Sequence, residues 1–165
     1  MTARHFTPIL LLLAAFVSGC AQSDREAGIV LASPAGVAIE GYDPVAYFTE
    51  GKAARGKPEF SSQHNGATWW FASAAHQELF QADPAKYAPA YGGWCAYGMA
   101  EGYAAETDPA NGWSIHEGRL YLNWDAEISK AWNADRDRFL EKSEANWPGV
   151  NSQLGQGTAT VYWHE

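Results

Sequence analysis

The chain has 165 residues, a length that fits one ordinary domain with a single buried core. Eight Trp, eight Tyr and seven Phe exclude a disordered chain, which lacks the apolar surface to collapse. Eleven Lys and Arg against nineteen Asp and Glu give a net charge of -8, and that balance excludes nucleic acid as a partner, because a phosphate backbone needs a basic footprint.

The amino terminus reads as a targeting segment. Arg4 precedes the apolar run Ile9 to Val17, which is too short to cross a bilayer and has the length of a signal-peptide core. Val17-Ser18-Gly19-Cys20 resembles the lipobox of bacterial lipoproteins, which implies a signal peptide over 1–19 and a lipid on Cys20. The expected product is a domain tethered by that lipid in the cell envelope, facing the periplasm, with the outer membrane favoured because Ala21 replaces an Asp-type retention signal. Residues 21–37 read as a tether, 38–150 as the domain and 151–165 as a carboxy-terminal extension.

Within the domain, Asp43 and Pro44 open a short helix that Gly51 ends. Phe60 begins a strand, Asn65-Gly66 turns it, and Ala67 to Phe71 returns as the second strand of a hairpin. Ser73 caps a helix to about Ala82 with Leu79 and Phe80 turned inward, and Asp83-Pro84 restarts a helical turn. Residues 90–103 are dense in Gly and aromatics and favour no single element. A second hairpin joins Trp113–His116 to Arg119–Asn123 through Glu117-Gly118, with Leu120 and Leu122 buried. Asp125 opens a long helix ending near Asn146, its apolar stripe running through Ile128, Trp132, Phe139 and Leu140. Val161-Tyr162-Trp163 has the character of an added strand. The sum is an α+β fold in which two β-hairpins pack against several helices.

GYDPVAYF at 41–48, GATWWFASAAHQELF at 66–80, DPAKYAPAYGGWCAYGMAEG at 83–102 and EANWPG at 144–149 resemble the stand-alone secreted branch of the YHS domain family. The resemblance covers 38–150 and implies a small α+β domain. It also implies metal, since related domains carry thiols in DPVCGM-like and FCSxxC-like motifs. Here Ala46, Ala72 and His76 occupy those three Cys positions, so the thiol-rich site does not carry over and His76 alone keeps a donor atom.

If Cys20 carries lipid, Cys95 is a lone thiol in an oxidising compartment. Three readings stand open for it: a soft-metal ligand, a buried structural residue, or a reactive thiol. Cys95 and Met99 are four apart, which on a helix puts both sulfurs on one face. With His76, and His116 or His64 as a fourth partner, they make a donor set suited to Cu(I), for trafficking or sensing with a metal-donor or metal-acceptor protein. The second reading is a ligand- or protein-binding module whose Gly-rich cleft is lined by Tyr91, Trp94 and Tyr97. No nucleophile elbow, zinc-protease run, phosphate loop or dinucleotide fingerprint occurs, so no catalytic residue is assigned.

Overall fold

The computed structural model describes residues 29–165; the expected signal segment, the expected lipobox with Cys20 and the first part of the expected tether lie outside the described residues. Among the described residues no helix is long and apolar enough to cross a membrane. The fold is α+β, with two antiparallel hairpins, one short parallel pair and six α-helices among the described residues.

The chain opens against the domain. Leu31 is buried, its N–H donates to Gly92 O at 2.9 Å, and Ala32 bridges Ala38. Residues 29–37, expected as tether, are therefore docked, because Val30 and Leu31 supply apolar surface that both cores use. The helix after Asp43 is the single turn Ala46–Thr49 (α1).

Lys57–His64 (β1) and Ala67–Phe71 (β2) form the first hairpin, with Ser62 opposite Trp69 and His64 opposite Ala67. Asn65 and Gly66 both take positive φ, 48° and 75°, the paired left-handed turn that the Asn-Gly dipeptide favours. Strict alternation buries Ala67, Trp69 and Phe71.

Ala74–Ala82 (α2) starts at Ser73, whose hydroxyl accepts the His76 N–H. Phe80 is buried as expected, but Leu79 is 41% exposed: of the two it is Phe80 that meets the hairpin, at ring distances of 5.3 Å to Trp69 and 5.1 Å to Phe71. Pro84–Tyr87 (α3) follows, capped by Asp83.

The Gly-rich segment then resolves into two parts. Tyr91, Gly92 and Gly93 all take positive φ and turn the chain sharply, and Ala96–Ala100 (α4) follows Trp94 and Cys95. Ala104–Ala105 (β3) pairs in parallel with Val161–Tyr162 (β6), so the added strand seen in the sequence is present.

Trp113–His116 (β4) and Arg119–Leu122 (β5) make the second hairpin around Glu117-Gly118, again with positive φ at both turn residues. β5 is the wall between two cores. Leu120 and Leu122 face a core of Val45, Tyr47, Trp69, Phe71 and Phe80, while Tyr121 faces one of Tyr91, Met99, Trp132 and Phe139. Period-two alternation thus sends one strand's side chains into both clusters.

The expected helix from Asp125 to Asn146 is two helices, Ala126–Ala134 (α5) and Arg136–Gln156 (α6). Asp135, at φ -137° and ψ 48°, leaves helical geometry and breaks it. α6 also runs past Trp147-Pro148, where the sequence places a stop. Trp147, Val150 and Leu154 continue its apolar stripe into the second core, and that burial outweighs the hydrogen bond Pro148 removes. Residues 151–156 are accordingly helix, and Gly157 at φ 69° ends it. Ser143 and Asn146 join α6 to α4, donating to Ala96 O and to the Met99 and Ala100 carbonyls.

Candidate functional site

Cys95 sits where three segments meet. Its backbone N–H donates to Ala105 O at 3.0 Å, and its sulfur is the N-cap of α4, accepting the Gly98 N–H at 3.4 Å. The same sulfur accepts the Trp124 N–H at 3.3 Å and lies 3.8 Å from Asn123 Oδ1, toward which the thiol hydrogen points. Asn123 Oδ1 in turn accepts the Tyr97 N–H at 3.0 Å. One sulfur thus ties the start of α4 to the end of β5.

Burial pushes the Cys95 thiol above its ordinary value, and the backbone N–H groups of Gly98, Trp124 and Tyr97 pull against that without cancelling it. At neutral pH the group is a neutral thiol with both lone pairs engaged. That is the environment of a structural cysteine, and it opposes the lowered pKa of a reactive one.

Beside the thiol opens a cavity of about 390 Å³. Tyr97, Tyr103, Trp124 and Tyr162 wall it, with Ile128 and Ala105 completing the apolar surface. Gly98 makes the wall possible, since a Cβ there would stand 2.8 Å from the Tyr103 ring.

The side chains expected to share a metal do not converge. Met99 is wholly buried in the α4–α6 core, whereas Cys95 lies one residue outside the helix that was to align them. His76 is held far along the chain's other core: its Nδ1 is 2.6 Å from Asp43 Oδ2, and its Nε2 is 3.2 Å from Thr49 Oγ1 and 3.8 Å from Glu50 Oε1. None of these neighbours touches Cys95. His116 Nδ1 accepts from Arg136 Nη1 at 3.1 Å, which occupies that nitrogen. His64 packs edge-on against Phe80 with ring centroids 5.6 Å apart, and burial lowers its pKa. Among the described residues no three His, Cys, Asp or Glu side chains gather in a way that could hold a metal ion.

Of the three aromatics expected to line one cleft, only Tyr97 reaches the Cys95 cavity. Trp94 is buried, donating its indole N–H to Ile29 O at 2.8 Å. Tyr91 lines a separate groove of about 560 Å³ between the two hairpin tips and α6, and its hydroxyl donates to Glu144 at 3.0 Å. Both tyrosines pack on the same core, but the left-handed turn at 91–93 lies between them and they open into different pockets.

Three features escaped the sequence. Trp124 and Tyr162 reach the cavity from elements remote from Cys95, and no local spacing marks such convergence. Asp43, expected to cap α1, is not its cap, which is Val45 without a side-chain bond; instead the carboxylate joins segments, accepting from Val45 N and Ala72 N at 2.8 Å each as well as from His76. The Asn123 amide nitrogen is buried without a partner.

Comparison with protein-family models, with curated proteins and with solved structures finds no match.

Proposed function

We propose that this chain is a lipid-tethered, extracytoplasmic YHS-type binding module, and that its site is the aromatic cleft beside Cys95. The observation that carries the reading is the cavity itself. About 390 Å³ is the size of a pocket for a small organic molecule, and four aromatic rings around one neutral thiol favour a compact ligand with a flat apolar face. Cys95 serves this site as a wall and as the clip that holds α4 against β5.

A soft-metal reading keeps one supporting observation: a sulfur, that of Cys95, borders the open cleft. Copper would have to recruit its remaining donors from outside the described His, Cys, Asp and Glu clusters.

The test uses the neutral fluorophore N-phenyl-1-naphthylamine and an anaerobic Cu(I) titration, each on the full chain and on two variants. The organic-ligand reading expects saturable fluorophore binding that Trp124→Ala abolishes and Cys95→Ser retains. No binding by the unaltered chain overturns it. Stoichiometric Cu(I) uptake lost in Cys95→Ser would transfer the site to the metal.

A further inference from the structure

Residues 158–164 run beside the cleft, and Tyr162 supplies part of its wall. They leave α6 at Gly157, a left-handed residue whose closing bonds are Gly157 N to Leu154 O at 3.1 Å and Thr158 N to Gln153 O at 2.9 Å. The parallel pair they form is two residues long, with Ala104 N donating to Thr160 O at 3.0 Å and Glu106 N to Tyr162 O at 2.9 Å. Beyond that, His164 N donates to Glu106 Oε2 at 2.9 Å and its ring reaches Trp124 O at 3.1 Å.

Val161 rests half-buried on the core around Met99 and Phe139, and the rest of the attachment is aromatic. Tyr162 lies 4.8 Å from Tyr103, Trp163 lies 5.8 Å from Trp94, and His164 lies 3.8 Å from Trp124, each measured between ring centroids. Two of those three supporting rings, Tyr103 and Trp124, are walls of the Cys95 cavity, and Tyr162 is itself a wall. Yet Tyr162 and Trp163 stay 53% and 55% exposed, so each ring is covered on one side only.

We infer that residues 158–164 are a releasable strap that gates the Cys95 cleft. A segment held by a two-residue ladder, one half-buried valine and ring contacts that leave Tyr162 and Trp163 more than half exposed opens at a smaller free energy than the core it rests on. Gly157 supplies the pivot, since the helix behind it is anchored by Val150 and Leu154 and stays in place. When the strap lifts, Tyr162 leaves the cavity wall and His164 leaves the Trp124 ring, which opens a path from solvent to Cys95 and to the aromatic floor. Ligand exchange then proceeds through strap opening, a functional meaning that rests on the cleft being the binding site.

The experiment measures Cys95 itself and needs no ligand. In the full chain carrying Cys20→Ser, Cys95 is the one thiol, and its alkylation by iodoacetamide reports access to the cleft. Trp163→Ala with His164→Ala weakens the strap while leaving every cavity wall intact. Alkylation should accelerate on the order of tenfold with an unchanged urea midpoint. An unchanged rate, or a gain no larger than the loss of global stability explains, overturns the strap. Hydrogen exchange on the unaltered chain decides the matter independently: the Ala104 and Glu106 amides should exchange through a local opening insensitive to low denaturant. Exchange of both only by global unfolding, together with the core amides of Leu120 and Leu122, overturns it. Fast alkylation without fluorophore binding would leave the strap standing and remove the cleft as a ligand site.

Discussion

Asp43 is the residue whose loss should cost the fold most per atom removed. Its carboxylate is wholly buried and receives three hydrogens from three segments: Val45 N at 2.8 Å, Ala72 N at 2.8 Å and His76 Nδ1 at 2.6 Å. Asp43→Ala removes the acceptor of two backbone donors, Val45 N in the core and Ala72 N at its half-buried edge, and each stranded donor costs about 1–3 kcal/mol. The His76 ring retains a solvent edge and recovers part of its loss, so the expected total is about 3–5 kcal/mol. Asp43→Asn is the informative companion. Its amide oxygen still serves one backbone N–H, while its NH2 group faces the other donor, and His76 adapts by presenting a bare nitrogen. The expected loss is roughly half that of the alanine. His76→Ala should cost least, about 1–2 kcal/mol, because both backbone donors keep their acceptor. Urea unfolding followed by Trp fluorescence at neutral pH gives all three values. An Asp43→Ala protein within about 1 kcal/mol of the unaltered chain would refute the reasoning, as would an asparagine variant no better than the alanine.

Stability should also fall on the alkaline side. Burial raises the Cys95 thiol above 9.0 and the Tyr47, Tyr91, Tyr103 and Tyr121 hydroxyls above 10.0, so the folded state keeps protons that the unfolded chain releases. That contribution is complete below the ordinary thiol value and is lost as pH rises toward the raised folded values; a urea midpoint that stays flat from pH 8 to about 11 would contradict it. Two glycines should respond in opposite directions. A Cβ at Gly56 would stand 2.4 Å from the Trp70 carbonyl carbon, so Gly56→Ala should displace the first hairpin and cost about 1–3 kcal/mol by thermal unfolding. A Cβ at Gly149, within α6, meets nothing within 4 Å, so Gly149→Ala should stabilise by about 0.5–1 kcal/mol.

What the sequence reveals of this fold is what short-range physics decides. Asn65-Gly66 and Glu117-Gly118 announce both hairpins because paired left-handed residues suit few other places. Ser73, Asp83 and Asp125 announce their helices because a side-chain oxygen one step before a helix has an N–H to accept. The misjudged elements are those where distant packing decides. Leu79 and Phe80 are adjacent and equally apolar, and only the position of β2 selects Phe80. Pro148 reads as a stop until Val150 and Leu154 are seen to have a core to enter. The candidate site was legible in two residues, Cys95 and Tyr97. Its remaining aromatic walls come from residues 103, 124 and 162, brought together by the parallel pairing of β3 with β6. Cys95 and Met99 looked like partners because spacing cannot tell an N-cap from the first residue of a helix.

The docking of residues 29–31 sets an order on how the molecule is finished. Ile29 N–H donates to Asn151 Oδ1 across 122 positions, and Ile29 O accepts from Trp94 across 65. Ile29 is therefore made well before either partner, 65 positions ahead of Trp94 and 122 ahead of Asn151. Until Asn151 arrives, Ile29 to Leu31 form an unsatisfied apolar stretch beside the Gly-rich turn they will seal. The hairpin of β1 and β2, by contrast, needs no residue beyond Phe71 to pair. Long-range closures of this kind are slow and leave sticky surface open meanwhile. The seam at residues 29–31 thus closes later than the first hairpin, and its apolar surface needs protection in the interval.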